Sequence, residues 1–317
     1  MTKKTRRFIF YIFVAIFIIM VPVIIFYALG YTFDFEKKTI VATGGIYLKS
    51  DPAKAEIYIN DKLKGITTQL IKRLNPKIYE IKVIKENFHI WQKDLTVQPN
   101  LVTKANIILL PTNPKISLVA TESQEYILFT TPQPEELYFL SKNNLYHAKD
   151  KKLLAQNVVN YVIYKDGVIY LDNITGKIME LDLTSLKSAQ MFEQVFPNLN
   201  KGKWVLSQDN KKLLCQKDKS VEILWLDNVS NNSILRKKGD LEKIDFKEKI
   251  NQVIWYPKTN EHLIVTTDSS IIFTELDNRS PRNTVNFITS EKPQIKYNAS
   301  DEILYFLSQE KLYQTEL

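Results

Sequence analysis

Polar and apolar residues follow three different rhythms along this chain, and each rhythm predicts a different structure. Phe8 to Leu29 is a run of 22 residues with no Asp, Glu, Lys or Arg. About 20 such residues cross the hydrocarbon core of a bilayer as a helix, so this run predicts a membrane span over residues 8–30. Pro22 lies inside it and is expected to kink the helix without ending it. From Tyr47 to Leu110 the rhythm becomes period two, as in Glu56-Ile57-Tyr58-Ile59, Tyr79-Glu80-Ile81-Lys82-Val83-Ile84, Trp91-Gln92-Lys93-Asp94-Leu95-Thr96-Val97 and Lys104-Ala105-Asn106-Ile107-Ile108. Alternation of this kind puts one face of a strand on a core and the other in water. Turn signals at Asn60-Asp61, Lys64-Gly65, Asn75-Pro76 and Pro99-Asn100 separate the runs, so a small antiparallel sandwich is expected over residues 47–111.

After Pro111 the apolar runs become short and nearly continuous. The middle run of each group begins near residues 137, 168, 212, 263 and 303. Their spacing averages near the ~40–45 residues of a propeller blade. Three groups end on an apolar residue followed by Asp, at Asp182, Asp227 and Asp277, where a carboxylate can accept turn hydrogen bonds. Turns bearing Asp or Asn fall between first and second runs, at Lys165-Asp166-Gly167, Gln208-Asp209-Asn210, Thr259-Asn260-Glu261 and Ala299-Ser300-Asp301. Residues 112–317 therefore resemble the β-propeller class with about five blades, lacking the Gly-His…Trp-Asp signature of one subfamily. A second β-sandwich is the alternative arrangement of the same strands.

The middle segment carries a more specific resemblance. Ser50-Asp51-Pro52-Ala53-Lys54-Ala55-Glu56-Ile57-Tyr58-Ile59-Asn60-Asp61, then Gly65 and Thr67-Thr68, is similar to the pattern of the PEGA domain. Leu74, the Tyr79–Val83 strand, Asn87-Phe88 and the Ile107–Pro111 exit fit as well. Lys54 stands where the family has Gly, Lys62 where a hairpin Gly is usual, and Thr68 where Pro is typical. A φ > 0 turn is less comfortable for Lys54, so a different turn is expected there. The resemblance implies a surface-exposed β module and supplies no active site.

Charge and composition narrow the function. Lys3, Lys4, Arg6 and Arg7 precede the apolar run and no acidic residue occurs before Asp34, which predicts a cytoplasmic basic tail (1–7) and an extracytoplasmic remainder. The run exceeds the ~7–15 residues of a signal-peptide core, so a permanent anchor is expected over a cleaved signal despite the small-residue site at Ala28-Leu29-Gly30. Residues 31–46 read as a short extended linker. The net charge of +8 suggests nucleic acid until the four anchor-flanking cations are set aside, leaving 39 basic and 35 acidic residues scattered over the rest. No basic stripe interleaved with aromatics remains, so no nucleic-acid partner is expected.

Candidate chemistry is sparse. The only cysteine, Cys215, sits in an apolar run and reads as a small buried hydrophobe. His89, His147 and His262 share no metal-ligand spacing, and His262 is expected in a solvated turn, His89 half-exposed on a strand. With eight glycines there is no phosphate or dinucleotide loop. Asp166, Asp182, Asp209, Asp227, Asp268 and Asp277 lie at turns, where a propeller glycosidase would need two carboxyls converging across ~5–9.5 Å. Trp204, Trp225 and Trp255 are placed in different blades, as core residues or as rings presented to a ligand. The expected protein is mainly β, with no catalytic, cofactor or metal residues and an unidentified ligand site. It is anchored in the lipid bilayer by Phe8–Leu29 and binds or scaffolds a cell-wall polysaccharide or envelope protein; a surface hydrolase is the alternative. A transmembrane sensor is disfavoured, since about seven residues ahead of the helix are too few for an output domain.

Overall fold

The computed structural model describes residues 3–34, 38–120, 137–231, 234–256, 258–298 and 300–317. Helix α1 (Lys3–Ala28) runs through Pro22 and carries no buried residue. It is long and apolar enough to cross a membrane. A hairpin of β1 (Tyr31–Asp34) and β2 (Thr39–Ala42) follows. The expected linker is thus folded back on itself, and the Thr43 amide and Oγ1 both donate to the Gly30 carbonyl, at 2.9 and 2.6 Å.

Seven strands build the next module: β3 (Gly44–Asp51), β4 (Glu56–Ile59), β5 (Lys62–Ile66), β6 (Gln69–Leu74), β7 (Ile78–Ile84), β8 (Trp91–Thr96) and β9 (Val102–Ile108). They form two sheets, ordered β6-β3-β9 and β5-β4-β7-β8. The sandwich is not wholly antiparallel as predicted: β3 pairs with β9 in parallel, Ile46 opposite Thr103 and Leu48 opposite Ala105. It also starts earlier than residue 47, because Gly44 already lies in β3 and Ile46 is fully buried. A side chain at Gly44 would collide with the carbonyls of Gln98 and Leu101, so the tight entry to β3 requires glycine. Ile46, Leu48, Ile57, Ile81, Val83, Trp91, Leu95 and Ile107 meet in one core. Each large aliphatic buried there is worth about 1.5–3 kcal/mol.

Two of the three departures from the family pattern, at Lys54 and Lys62, leave the pattern's turns in place. Lys54 adopts φ 62° after all, held by its amide donating to the Thr67 carbonyl at 3.0 Å. Asn60 and Asp61 both have positive φ and close a two-residue hairpin with Ile59 opposite Lys62, so Lys62 begins a strand and needs no glycine. Lys93 occupies a core-facing position of β8 and is fully buried, its ammonium donating to the Arg279 carbonyl at 2.8 Å. Residues Arg279–Pro281 belong to the same compact unit as residues 1–109.

The remaining residues form the second compact unit. β10 (Ser117–Ala120) comes first. β11 (Tyr138–Ser141), β12 (Asn144–His147) and β13 (Leu153–Ala155) make one sheet, and the predicted run Tyr126–Phe129 of this group lies outside the described residues. β14 (Val158–Tyr164), β15 (Gly167–Asp172), β16 (Ile178–Asp182) and β17 (Lys187–Gln190) make the second. The third contains β18 (Lys203–Leu206), β19 (Lys212–Gln216) and β20 (Ser220–Trp225). A small hairpin, β21 (Val229–Asn231) with β22 (Ile234–Arg236), interrupts it before β23 (Leu241–Asp245) completes it. β24 (Gln252–Trp255), β25 (His262–Thr266), β26 (Ser270–Glu275) and β27 (Thr284–Thr289) make the fourth.

In the fifth sheet β28 (Gln294–Asn298), β29 (Ile303–Ser308) and β30 (Lys311–Glu316) are joined by β10, the first strand of the unit, which pairs Ser117 with Gln314 and Leu118 with Tyr313. Among the described residues, five successive up-and-down sheets, the last completed by the first strand, have the strand order of a β-propeller-like domain with about five blades. Among the described residues the chain is mainly β, with one long apolar helix, at the N-terminus.

Each inner blade is packed on both faces. Leu213 and Cys215 of β19 join Tyr164, Ile169 and Leu171 on one side, while Leu214 joins Trp255, Leu263 and Val265 on the other. Likewise Val168 and Tyr170 face Leu145 and Ala155, and Ile169 and Leu171 face Trp204. Apolar runs are continuous here because alternate side chains serve two different cores.

Candidate functional site

The aromatic residues singled out in the sequence are core residues. Trp204, Trp225 and Trp255 are all buried. Trp204 and Trp225 share one sheet, on β18 and β20, so the placement of all three in different blades is corrected. Their polar edges are used up locally: the Trp204 indole donates to the Leu199 carbonyl at 3.0 Å and that of Trp255 to the Val205 carbonyl of the preceding blade at 3.1 Å.

His262 is not in a solvated turn. It opens β25 and is buried, its ring against Tyr256 and Phe273 and its Nδ1 2.9 Å from Thr259 Oγ1. His89 lies in the loop between β7 and β8, half-buried, and desolvation lowers its pKa. His147 pairs with Asp150 at 2.7 Å, which holds the Asp150 carboxyl below its usual range. Cys215 is fully buried and burial pushes its thiol up to about 11.

Four of the acidic residues are hydrogen-bond acceptors, Asp182 and Asp227 within their own turns. Asp182 Oδ1 accepts from the amides of Thr184 and Ser185 at 2.7 and 2.8 Å, which lowers its pKa. Asp227 Oδ1 accepts from the Asn228 amide at 2.7 Å, and Asp268 from the Asn251 side chain at 2.9 Å. Asp209 accepts from the Ser207 hydroxyl at 2.6 Å and lies 3.6 Å from the Lys212 ammonium. Among the described residues, no group of three or more His, Cys, Asp or Glu could hold a metal ion.

Periodicity missed the buried ion cluster between the third and fourth blades. Lys212 at the start of β19 is wholly buried, with its ammonium 2.8 Å from Glu261, 3.0 Å from the Asn260 carbonyl and 6.0 Å from the centre of the Trp255 ring. The β18–β19 and β24–β25 turns of two neighbouring blades are thereby locked together, helped by the Gln208 amide donating to Asn260 Oδ1 at 3.2 Å. A second ion cluster joins Glu242 of β23 to Arg236 and Arg282. Lysine after lysine in Lys211-Lys212 gave no hint which of the two turns inward.

One open concavity of about 440 Å³ lies in the propeller unit, between the segment leading into β10 and the last two strands. Lys115, Ile116 and Ser117 line one side, Gln314, Thr315 and Glu316 the other. One cation, one carboxylate and several neutral hydrogen-bonding groups suit a polar, uncharged or zwitterionic ligand segment. No pattern in the sequence marks it, because strands at opposite ends of the unit create it.

The solved structures similar to this chain include the extracellular domain of a protein from B. thetaiotaomicron described as a hybrid two component system (8% identity, TM-score 0.36), which covers 90% of this chain. The chain spans 31% of that protein's length. The β-propeller domain of Swd1 from Myceliophteria thermophila is similar at 12% identity and TM-score 0.33, over 48% of this chain and 49% of its own. No curated protein matches the chain. The PEGA domain matches residues 43–113, which span β3 to β9 and the core described above.

Proposed function

We propose that this is a single-pass membrane protein whose N-terminus is cytoplasmic and whose PEGA domain and propeller stand outside the membrane as a non-enzymatic module that binds cell-wall polysaccharide or another envelope protein. The observation that carries this reading is the order of parts: a helix of spanning length flanked by Lys3, Lys4, Arg6 and Arg7, followed directly by a surface-type β module and a propeller. The groove beside β10 and β30 is the place we assign to the ligand, because polar groups of β30 and of the segment leading into β10 converge there. Binding there needs no mobile catalytic group, and the carboxylates of Asp182, Asp209, Asp227 and Asp268 are already engaged in hydrogen bonds.

Protease added outside intact cells tests the orientation: digestion of the β domains is expected, and protection contradicts it. Retention of the protein on purified cell-wall material without release of soluble fragments supports binding, with Lys115→Glu expected to weaken retention. Turnover abolished by a single Asp or Glu substitution would sink the non-enzymatic reading in favour of a surface hydrolase.

A further inference from the structure

The two strands between α1 and β3 form a hairpin whose faces differ in chemistry. Tyr31 pairs with Ala42 and Phe33 with Ile40 on one face; Thr32 pairs with Val41 and Asp34 with Thr39 on the other. Phe33 is 46% exposed and Ile40 57%, although they are direct cross-strand neighbours. Both therefore keep much of their apolar surface facing outward from the hairpin. The Tyr31 ring stands edge-on to Phe26 of α1, 5.8 Å between centroids. The face bearing Phe33 and Ile40 is therefore the one that meets the apolar side chains of the helix.

Connectivity fixes how far this face can be from lipid. Tyr31 follows the helix by two residues, and Thr43 returns to hydrogen-bond the Gly30 carbonyl, so both ends of the hairpin are pinned at the helix terminus. A four-residue strand reaches only ~13 Å, and a headgroup zone of roughly 5–7 Å begins where the hydrocarbon ends. At the same level the Arg73 guanidinium of β6 lies 3.7 Å from the centre of the Tyr27 ring and donates to its hydroxyl. Tyr27 and Tyr31 have the placement of an interfacial aromatic belt, with a cation beside it for lipid phosphate.

We propose that the β1–β2 hairpin lies in the headgroup zone of the bilayer that α1 enters, its Tyr31–Phe33–Ile40 face against the acyl boundary. The anchor then continues sideways as a collar that holds β3, and the sandwich built on it, at a set distance from the lipid. This inference rests on the reading of α1 as a permanent membrane span.

The test uses the full-length protein with a single environment-sensitive fluorophore at an introduced cysteine. Phe33→Cys, Ile40→Cys, Thr39→Cys and Ile18→Cys are labelled in detergent; buried Cys215 stays unlabelled in the folded protein. Each is reconstituted into phosphatidylcholine vesicles containing phosphatidylglycerol, with nitroxide lipids whose spin label is either shallow or deep in the acyl chain. The label at Phe33→Cys and Ile40→Cys should shift to the blue and be quenched several-fold more by the shallow nitroxide than by the deep one. Thr39→Cys should emit as in water, and Ile18→Cys should be quenched by the deep nitroxide. Unquenched Phe33→Cys and Ile40→Cys beside a deeply quenched Ile18→Cys overturn the collar and leave the anchor standing. Equal quenching at Phe33→Cys and Thr39→Cys overturns the sidedness. An unquenched Ile18→Cys overturns the anchor and the collar with it.

Discussion

The PEGA domain and the propeller are both antiparallel in most of their pairings, yet they treat the two faces of a strand differently. In β7 the side chains of Tyr79, Ile81 and Val83 are buried while Glu80 and Lys82 between them are half-exposed. In β19 and β20 nearly every residue is buried, because a blade has another blade on each side. A strand in the small sandwich therefore has positions that stability does not touch, and a strand in an inner blade has almost none. The same contrast explains why the blades can bury Lys212 only with Glu261 and Asp209 beside it: no solvated face is left for its charge.

The largest effect that tests this contrast is kinetic. With its thiol raised to about 11, Cys215 should react with a thiol reagent at pH 8 at least ~100-fold more slowly than a free cysteine. Unfolding should restore the ordinary rate; a fast-reacting native thiol would mean that the two-sided packing of β19 opens readily. Next come alanine substitutions on consecutive residues. Ile223→Ala and Leu224→Ala, on opposite faces of β20, are each expected to cost about 2–5 kcal/mol in denaturant unfolding. In β7, Ile81→Ala should cost a similar amount and Lys82→Ala far less, since its pairs with Asp61 and Glu80 are near the surface. Equal costs at Ile81 and Lys82, or unequal ones at Ile223 and Leu224, would break the comparison.

Lys212→Met should be intermediate, about 2 kcal/mol, because Glu261 keeps partial contact with water and can resolvate. The smallest effect is acid sensitivity at Asp209. Burial opposes its charge, but the Ser207 hydroxyl and the Lys212 ammonium outweigh it and lower its pKa. A carboxyl with a depressed folded pKa contributes stability that is present above its unfolded value, about 4, and is lost as pH falls through the folded value. Asp209→Asn should therefore reduce stability at neutral pH by a fraction of a kcal/mol and flatten the loss below about pH 4. An unchanged acid limb would show that Asp209 is not coupled to the inter-blade cluster.

Local chemistry carried much of this structure. The uncharged run Phe8–Leu29 fixes a helix with no buried residue. Period-two alternation placed Ile57, Ile81 and Val83 in a core, and in the second to fifth sheets β15, β19, β25 and β29 begin within one residue of the positions read from the apolar runs. Asn60-Asp61 marks a real turn, because short polar side chains tolerate positive φ, and at Lys165-Asp166-Gly167 the turn is made with Lys165 itself at φ 50°. Strands such as Lys187–Gln190, exposed throughout, have no inward face to announce them and were not legible.

The sequence by itself determined where the chain can be apolar on every side, on one face, or on two, since burial selects side chains residue by residue. Only the tertiary structure decided which distant strands meet. β10 closes onto β30, β3 runs parallel to β9, β23 joins β20 across an inserted hairpin, and Lys93, Lys212 and His262 turn inward. These are pairings between partners far apart in the chain, and local periodicity holds no record of a partner. The candidate groove is formed by one such pairing, at β10 and β30, so it could not be seen before the propeller was closed.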